Sequence, residues 1–241
     1  MLTSRATVSG GKSIFTADGS GDVRTVVNPT GNDPSSPFGF LFTPDLNDAG
    51  QVGVKVQRGS STSADEVRVF NPDGTSTLVA AEAGGSPGSA FSSIDNSVTL
   101  NDAGEVAFAA NLVAGGRGVL LGNSGGVTST FTSATSGSVS VFTPDVNDEG
   151  LVVFRGRDSA NNNVDSILVG DDSGMLTSVA FVGQTVTLDS GLTDTIMSFA
   201  QNPRINDAGD VMFVANAVPE PSASLAPIGG AGLLALRWRR S

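Results

Sequence analysis

The chemistry open to this 241-residue chain is limited, because it contains neither His nor Cys. Without His it lacks the commonest general base, the commonest transition-metal ligand and any Ser-His catalytic pair. Without Cys it has no thiolate nucleophile and no disulfide. A catalytic or metal site must therefore be built mainly from Asp and Glu, which together number 24.

Two clusters of acidic and amide side chains have the oxygen ligands that calcium prefers. They are Asp45, Asn47 and Asp48, and Asp145, Asn147 and Asp148. Two related sequences in the chain have Thr99 and Arg204 in place of Asp45, and an arginine does not ligate calcium. Asn and Asp side chains that cap their own turns explain the pattern without a metal. We therefore predict no cofactor, and a calcium-stabilised adhesion module is an alternative.

Paired carboxylates hydrolyse glycosidic bonds when they lie about 5–10 Å apart across the substrate. The candidate acids outside the two clusters are Asp65, Glu66, Asp95, Asp165, Asp189 and Asp194. Their spacing does not bring any two of them together. The chain also has no Tyr and a single Trp, Trp238, whereas carbohydrate-active clefts typically present aromatic platforms. We predict that the protein is not an enzyme, and a propeller polysaccharide hydrolase or lyase is the alternative.

The elements that would position these side chains follow from a fourfold repeat. Its signature is Asn-Asp-x-Gly, and the copies contain Asn47, Asp48 and Gly50; Asn101, Asp102 and Gly104; Asn147, Asp148 and Gly150; and Asn206, Asp207 and Gly209. The copies begin 54, 46 and 59 residues apart, a period typical of propellers and solenoids. Asn at the first position and Gly at the fourth predict a type I turn. A short apolar segment on each side predicts two strands per turn.

A second strand pair follows three of the signatures and also occurs near the N-terminus. These hairpins cover residues 67–80, 118–131, 167–181 and 13–27, and their Asp-Gly and Ser-Gly turns are strong hairpin signals. Four short strands in about 50 residues match one propeller blade. We predict an all-β, β-propeller-like fold of about four blades, or a fragment of a larger propeller. A β-sandwich or β-solenoid is the alternative. The ring would close if residues 211–215 paired beside the 13–16 strand.

The C-terminus has a different composition from this repeat-built body, which we assign to residues 1–217. Its first residues are Val218, Pro219, Glu220 and Pro221, and an apolar segment over residues 223–236 precedes Arg237, Arg239 and Arg240. The segment predicts a short hydrophobic helix of about 21 Å, against a membrane core of about 30 Å. The arginines predict a cytoplasmic end. Residues 218–241 therefore read as a weak, temporary membrane anchor.

This order of Pro-Glu-Pro, apolar segment and basic end resembles the PEP-CTERM sorting signal of Gram-negative bacteria. The resemblance implies that the protein is exported, held transiently in the inner membrane and cut near Pro-Glu-Pro by an exosortase. Export needs an N-terminal signal peptide, and residues 1–21 do not resemble one. We therefore expect the start of the sequence to be truncated.

The repeats upstream of this tail resemble the β-propeller-like tandem repeats of bacterial surface proteins. The resemblance covers about residues 12–217 and brings no known activity with it. A net charge of −11 argues against nucleic acid as a partner. The sequence thus predicts a secreted structural or adhesive protein of the cell surface or biofilm matrix. Its expected partners are an exosortase and extracellular polysaccharide or matrix proteins.

Overall fold

The structure is a computed structural model that describes residues 2–8, 11–60, 64–132, 143–158, 162–200, 202–219 and 233–236. The described residues form twenty β-strands and no helix. The chain divides into two compact units, residues 1–132 and 133–241. Within the described ranges there is no helix long and apolar enough to cross a membrane.

The first unit contains a three-stranded and an eight-stranded sheet. Antiparallel β1 (Leu2–Val8), β2 (Gly11–Ala17) and β3 (Val23–Val27) form the small sheet in that order. The large sheet consists of β4 (Phe38–Leu46), β5 (Val52–Arg58), β6 (Asp65–Phe70), β7 (Ser76–Ala81), β8 (Phe91–Leu100), β9 (Val106–Leu112), β10 (Arg117–Asn123) and β11 (Gly126–Thr132). Its strand order is β11-β10-β9-β8-β4-β5-β6-β7.

The large sheet is two antiparallel meanders of four strands that meet at their first strands. β4 and β8 run parallel there, with Thr43 opposite Ser97. Each half has the four antiparallel strands of a propeller blade. Each second strand is buried on both faces, because β5 has five consecutive buried residues from Val52 to Val56 and β9 has five from Val106 to Ala110.

The second unit contains one further meander and a sheet assembled around one long strand. The meander is β12 (Asp145–Val146), β13 (Val152–Asp158), β14 (Val164–Gly170) and β15 (Leu176–Phe181). The other strands are β16 (Thr185–Thr187), β17 (Thr193–Phe199), β18 (Arg204–Ile205), β19 (Val211–Pro219) and β20 (Leu233–Leu236). β19 pairs antiparallel with β17, β18 and β20, and β16 pairs with β17. The hydrophobic core of the second unit includes Ile167, Ile196 and Phe213.

The four Asn-Asp-x-Gly turns have the predicted geometry. In each copy the Gly N–H donates to the Asn carbonyl three residues earlier, at 2.9 to 3.1 Å. The Gly φ angles lie between 74° and 79°, a left-handed conformation that Gly adopts without a Cβ clash. The Asn side chain accepts a bond from the backbone N–H that follows the Gly. The four copies of the repeat therefore form the same hairpin turn.

The fold class and the predicted hairpins are confirmed as all-β, but the helix expected near the C-terminus is not supported. Residues 233–236 form a strand rather than part of a helix. β19 pairs with these residues through Val211–Val214. The reason is that the edge of β19 has backbone N–H and C=O groups that need hydrogen-bond partners, and an extended apolar segment provides them.

Three exposed turns are capped by an Asp-x-Ser/Thr pair. In one of them the Thr75 hydroxyl and N–H donate to Asp73 Oδ1, at 2.6 and 2.9 Å. These bonds stabilise the carboxylate, and the pKa of Asp73 falls below its ordinary value of 3.8, with the hydroxyl as the largest cause. Asp33 beside Ser35 and Asp18 beside Ser20 have lowered pKa values for the same reason.

We predict that Thr75→Val raises the pKa of Asp73 toward 3.8, because it removes the hydroxyl donor. Since the folded-state pKa is depressed, the capping contribution to stability is present above pH 3.8 and is lost as the pH falls through the folded-state pKa. Carboxyl-carbon NMR titration measures the change, and Ser35→Ala is the control that leaves Asp73 unaltered. An unchanged Asp73 titration in Thr75→Val would contradict this assignment.

Candidate functional site

Within each unit one Asn-Asp turn contacts the next, and the first unit holds the first such pair. Asn47 Nδ2 donates to the Asn101 carbonyl at 3.0 Å, and the Asp48 N–H donates to Asp102 Oδ1 at 2.7 Å. The side chains of Asn47 and Asn101 are buried in this contact. One turn is therefore held against the next by both its amide side chain and its backbone.

The second unit repeats the same contacts with the other two turns. Asn147 Nδ2 donates to the Asn206 carbonyl at 3.0 Å, and the Asp148 N–H donates to Asp207 Oδ1 at 3.1 Å. Asn147 is 2% exposed, whereas Asn206 is exposed. Asn206 Nδ2 donates to Asp210 within its own turn at 3.4 Å. In each pair the Asn of the first turn is buried and donates to the second turn. Asn206, in a second turn, instead donates within its own turn.

A third contact gives the preceding aspartates their role. Asp45 Oδ2 accepts from the Leu100 N–H at 2.9 Å, and Asp145 Oδ2 accepts from the Ile205 N–H at the same distance. Arg204 also donates to Asp145 Oδ1 at 3.0 Å. Arg204 occupies the position that corresponds to Asp145 in the preceding copy. It forms an ion pair with that aspartate.

These contacts account for four of the six side chains that the calcium hypothesis required. The carboxylates of Asp45 and Asp145 and the amides of Asn47 and Asn147 bond to backbone groups of the facing turn. Over the described ranges there is no group of three or more Asp, Glu, His or Cys placed to hold a metal. The side chains of these four residues are thus explained by contacts between the turns.

A buried cation makes a second connection between the meanders of the first unit. Lys55, on β5, is 4% exposed and lies 2.6 Å from Asp65 Oδ2. Its ammonium group also donates to the Ile94 carbonyl on β8 at 2.6 Å, and it lies 4.4 Å from the centre of the Phe42 ring. Asp65 Oδ1 is buried and has no hydrogen-bond partner among the described residues. The carboxylate therefore depends on Lys55 for its charge compensation.

The second unit has an equivalent cation at the equivalent position. Arg155, on β13, donates through Nε to both carboxylate oxygens of Asp165 and through Nη1 to the Phe199 carbonyl at 3.0 Å. Lys55 and Arg155 each follow the Asn of their turn by eight residues, and Ile94 and Phe199 each precede the next Asn by seven. Sequence analysis missed this pair, although a cation at the same offset in two apolar strands was a usable signal.

Most candidate hydrolytic acids lie in ion pairs. Asp65 and Asp165 bond to the cations just described, and Glu66, also buried, bonds to Arg58 and Arg68 at 3.1 and 2.6 Å. Asp95 pairs with Arg117. Asp189 is exposed in the turn before β17, and Asp194 lies on β17 opposite Pro219. The structure brings Asp65 and Glu66 together only as neighbours on β6.

A cleft of about 390 Å³ lies beside the paired turns of the second unit. It is lined by Glu149, Leu151, Asp171, Asp172, Asp207, Ala208 and Gly209. Asp171 Oδ1 accepts bonds from Ser173 and Met175, and Asp207 Oδ1 accepts from Asp148. The cleft is acidic, but two of its four carboxylates already cap or join turns.

The proposed sorting residues lie largely outside the described residues. Val218 and Pro219 end β19 and pair with Thr195 and Asp194. The other five sorting residues lie outside the described residues; they are Glu220, Pro221, Arg237, Arg239 and Arg240. The sorting signal therefore stays a prediction from the sequence.

We predict that Asn147→Ala lowers the free energy of unfolding by about 1–3 kcal/mol more than Asn206→Ala does. Both substitutions remove the bond within the turn, from Leu151 N or Asp210 N to the Asn Oδ1. Only Asn147→Ala also leaves the Asn206 carbonyl without its side-chain donor. Urea unfolding compares the two variants, and equal losses would mean that the contact between the turns contributes nothing measurable.

We predict that Lys55→Met destabilises the protein by about 3–5 kcal/mol, because Asp65 becomes a buried charge without compensation. Lys55→Arg costs less, since arginine fills the equivalent position as Arg155. The chain has one other lysine, Lys12, which is exposed, so Lys12→Met is the control and changes stability by less than about 0.5 kcal/mol. Chemical denaturation distinguishes these cases. A Lys55→Met protein as stable as wild type would show that the pair is dispensable.

Comparison with known proteins gives a family. A crystal structure of TolB from Acinetobacter baumannii matches with a TM-score of 0.49 and 14% sequence identity, over 89% of this chain and 45% of that chain. This chain thus spans less than half the length of that structure. No curated protein is significantly similar to this chain. Residues 33–198, which are more than half of the chain, match a family described as a family of unknown function, DUF7453, and the protein belongs to that family.

Proposed function

We propose that this protein is an exported structural or adhesive protein of the cell surface or exopolysaccharide matrix, sorted and processed through its C-terminus. The observation that carries the proposal is the order of three features in residues 218–241: Pro-Glu-Pro, an uncharged apolar segment and terminal arginines. The prolines favour an extended backbone at the boundary. The arginines favour a cytoplasmic end and so an external body.

The body supports a role without catalysis. Its candidate acids Asp65, Glu66, Asp95 and Asp165 lie in ion pairs, and a carboxylate held this way is a poor general acid. The repeated Asn and Asp side chains join turns. A chain whose buried polar groups are used to connect strands is suited to a durable scaffold. We infer that its antiparallel meanders are the blades of a small propeller or of part of a larger one.

The proposed partners follow from this role. An exosortase cuts the chain near Pro-Glu-Pro after transient anchoring in the inner membrane. The released or attached body then contacts extracellular polysaccharide or matrix proteins through polar surface groups, and its net charge of −11 disfavours nucleic acid.

The test is the mass of the C-terminal peptide of protein recovered from the envelope and medium of the native host. The proposal expects a terminus between Val218 and Ser222. Cytoplasmic protein that ends at Ser241 would overturn it.

We also predict that replacing Pro219 and Pro221 by Ala leaves uncut precursor in the inner membrane, because the alanines remove the rigid element proposed for recognition. Immunoblotting of membrane and medium fractions follows the two forms. Pro34→Ala, in an exposed loop of the body, is the control and should be processed as wild type. Normal processing of the double variant would count against exosortase recognition of Pro-Glu-Pro.

A further inference from the structure

β20 occupies a defined position in the last sheet. Val211, the fifth residue after Asn206, pairs with Leu236. The residues at the same offset in the other copies pair with the third strand of their meanders: Val52 with Phe70, Val106 with Gly122, and Val152 with Gly170. β20 therefore supplies the third strand of the last sheet, in the register that the other three meanders use.

This third strand has an unusual origin. β6, β10 and β14 continue directly into the hairpins predicted from the sequence. β20 instead comes from the apolar tail, and thirteen residues lie between the end of β19 and the start of β20. Within the described residues, β20 is also the strand that covers this edge of Val211–Val214. The edge is a site that accepts an extended apolar segment by main-chain hydrogen bonds.

The same residues belong to the segment that the proposed function places in the membrane. A segment that enters the bilayer must satisfy its backbone groups internally, as a helix does. A strand bonded to β19 cannot do so, and residues 233–236 therefore cannot occupy both places. The tail has two mutually exclusive partners, the sheet and the membrane.

We propose that the Val211–Val214 edge of β19 is a binding site for the protein's own tail, occupied by Leu233–Leu236 before sorting and vacated when the tail enters the membrane. The inference rests on the proposed function for its second partner. Four residues make a short ladder, and a segment of about 21 Å is short for a core of about 30 Å. Both states are therefore weak, which allows the tail to exchange between them.

Site-directed crosslinking tests the occupied state on the full chain. Because the protein has no Cys, a disulfide formed within one Met212→Cys/Ala235→Cys chain joins the two introduced residues. Met212 and Ala235 are partners in register and the Met212 side chain is 49% exposed, so the pair lies within disulfide reach and its replacement spares the core. Asn216→Cys/Ala235→Cys, four residues out of register, is the matched control. We expect a crosslink in the first variant and none in the second under mild oxidation.

Vesicle binding then tests whether the two states exclude each other. The oxidised Met212→Cys/Ala235→Cys protein should stay in solution with phosphatidylethanolamine–phosphatidylglycerol vesicles, and reduction should allow it to sediment with them. In the unmodified chain, the same vesicles should speed amide exchange over residues 211–214 by at least about tenfold.

Either of two results overturns the inference: no crosslink above the out-of-register control, or equal vesicle binding by the oxidised and reduced forms. Crosslinking of the purified chain does not depend on an exosortase. It can therefore fail while the C-terminal mass confirms sorting, or succeed while that mass shows an uncut chain, so the two proposals are separable.

Discussion

The structure depends on hydrogen bonds between one Asn-Asp-x-Gly turn and the next. A four-stranded meander buries a face only when another meander lies against it, and the turns fix how the two meet. A buried Asn donates to the facing turn's carbonyl, and an Asp of that turn accepts from the first turn's backbone. Since buried polar groups cost free energy when unpaired, these side chains select one register. The repeat thus encodes the contact as well as the turn.

The buried cations extend the same principle to the middle of the strands. Lys55 and Arg155 each join an acid on the third strand of their own meander to a carbonyl on the first strand that follows. A charge in such a position is stable only with its partner. The two units therefore use two kinds of cation in one geometry.

The sequence predicted the elements better than their contacts. The turns, hairpins and all-β class followed from local patterns, because Asn at the first position and Gly at the fourth act within five residues. The pairing of turns was not predictable, since it joins residues 54 or 59 positions apart. Arg204 illustrates this: it argued against a metal ligand, but only the structure shows that it pairs with Asp145.

The tail shows the same limit more sharply. Its composition predicted a short helix, yet residues 233–236 form a strand because β19 offers them a row of backbone partners. Local propensity is weak in a short apolar segment, and tertiary context decides its conformation. The tail's composition suits two environments, and the sequence alone gave no reason to consider the sheet.

Amide hydrogen exchange measured residue by residue tests the central claim most directly. Asp48 and Asp148 are exposed at the second position of their turns, yet their N–H groups donate to Asp102 and Asp207. Asp207 has the same turn position, and its N–H makes no such bond among the described residues. If the turns are held in pairs, the Asp48 and Asp148 amides exchange at least about tenfold more slowly than that of Asp207, a difference of about 1.4 kcal/mol. Equal rates at the three positions would contradict the pairing of the turns.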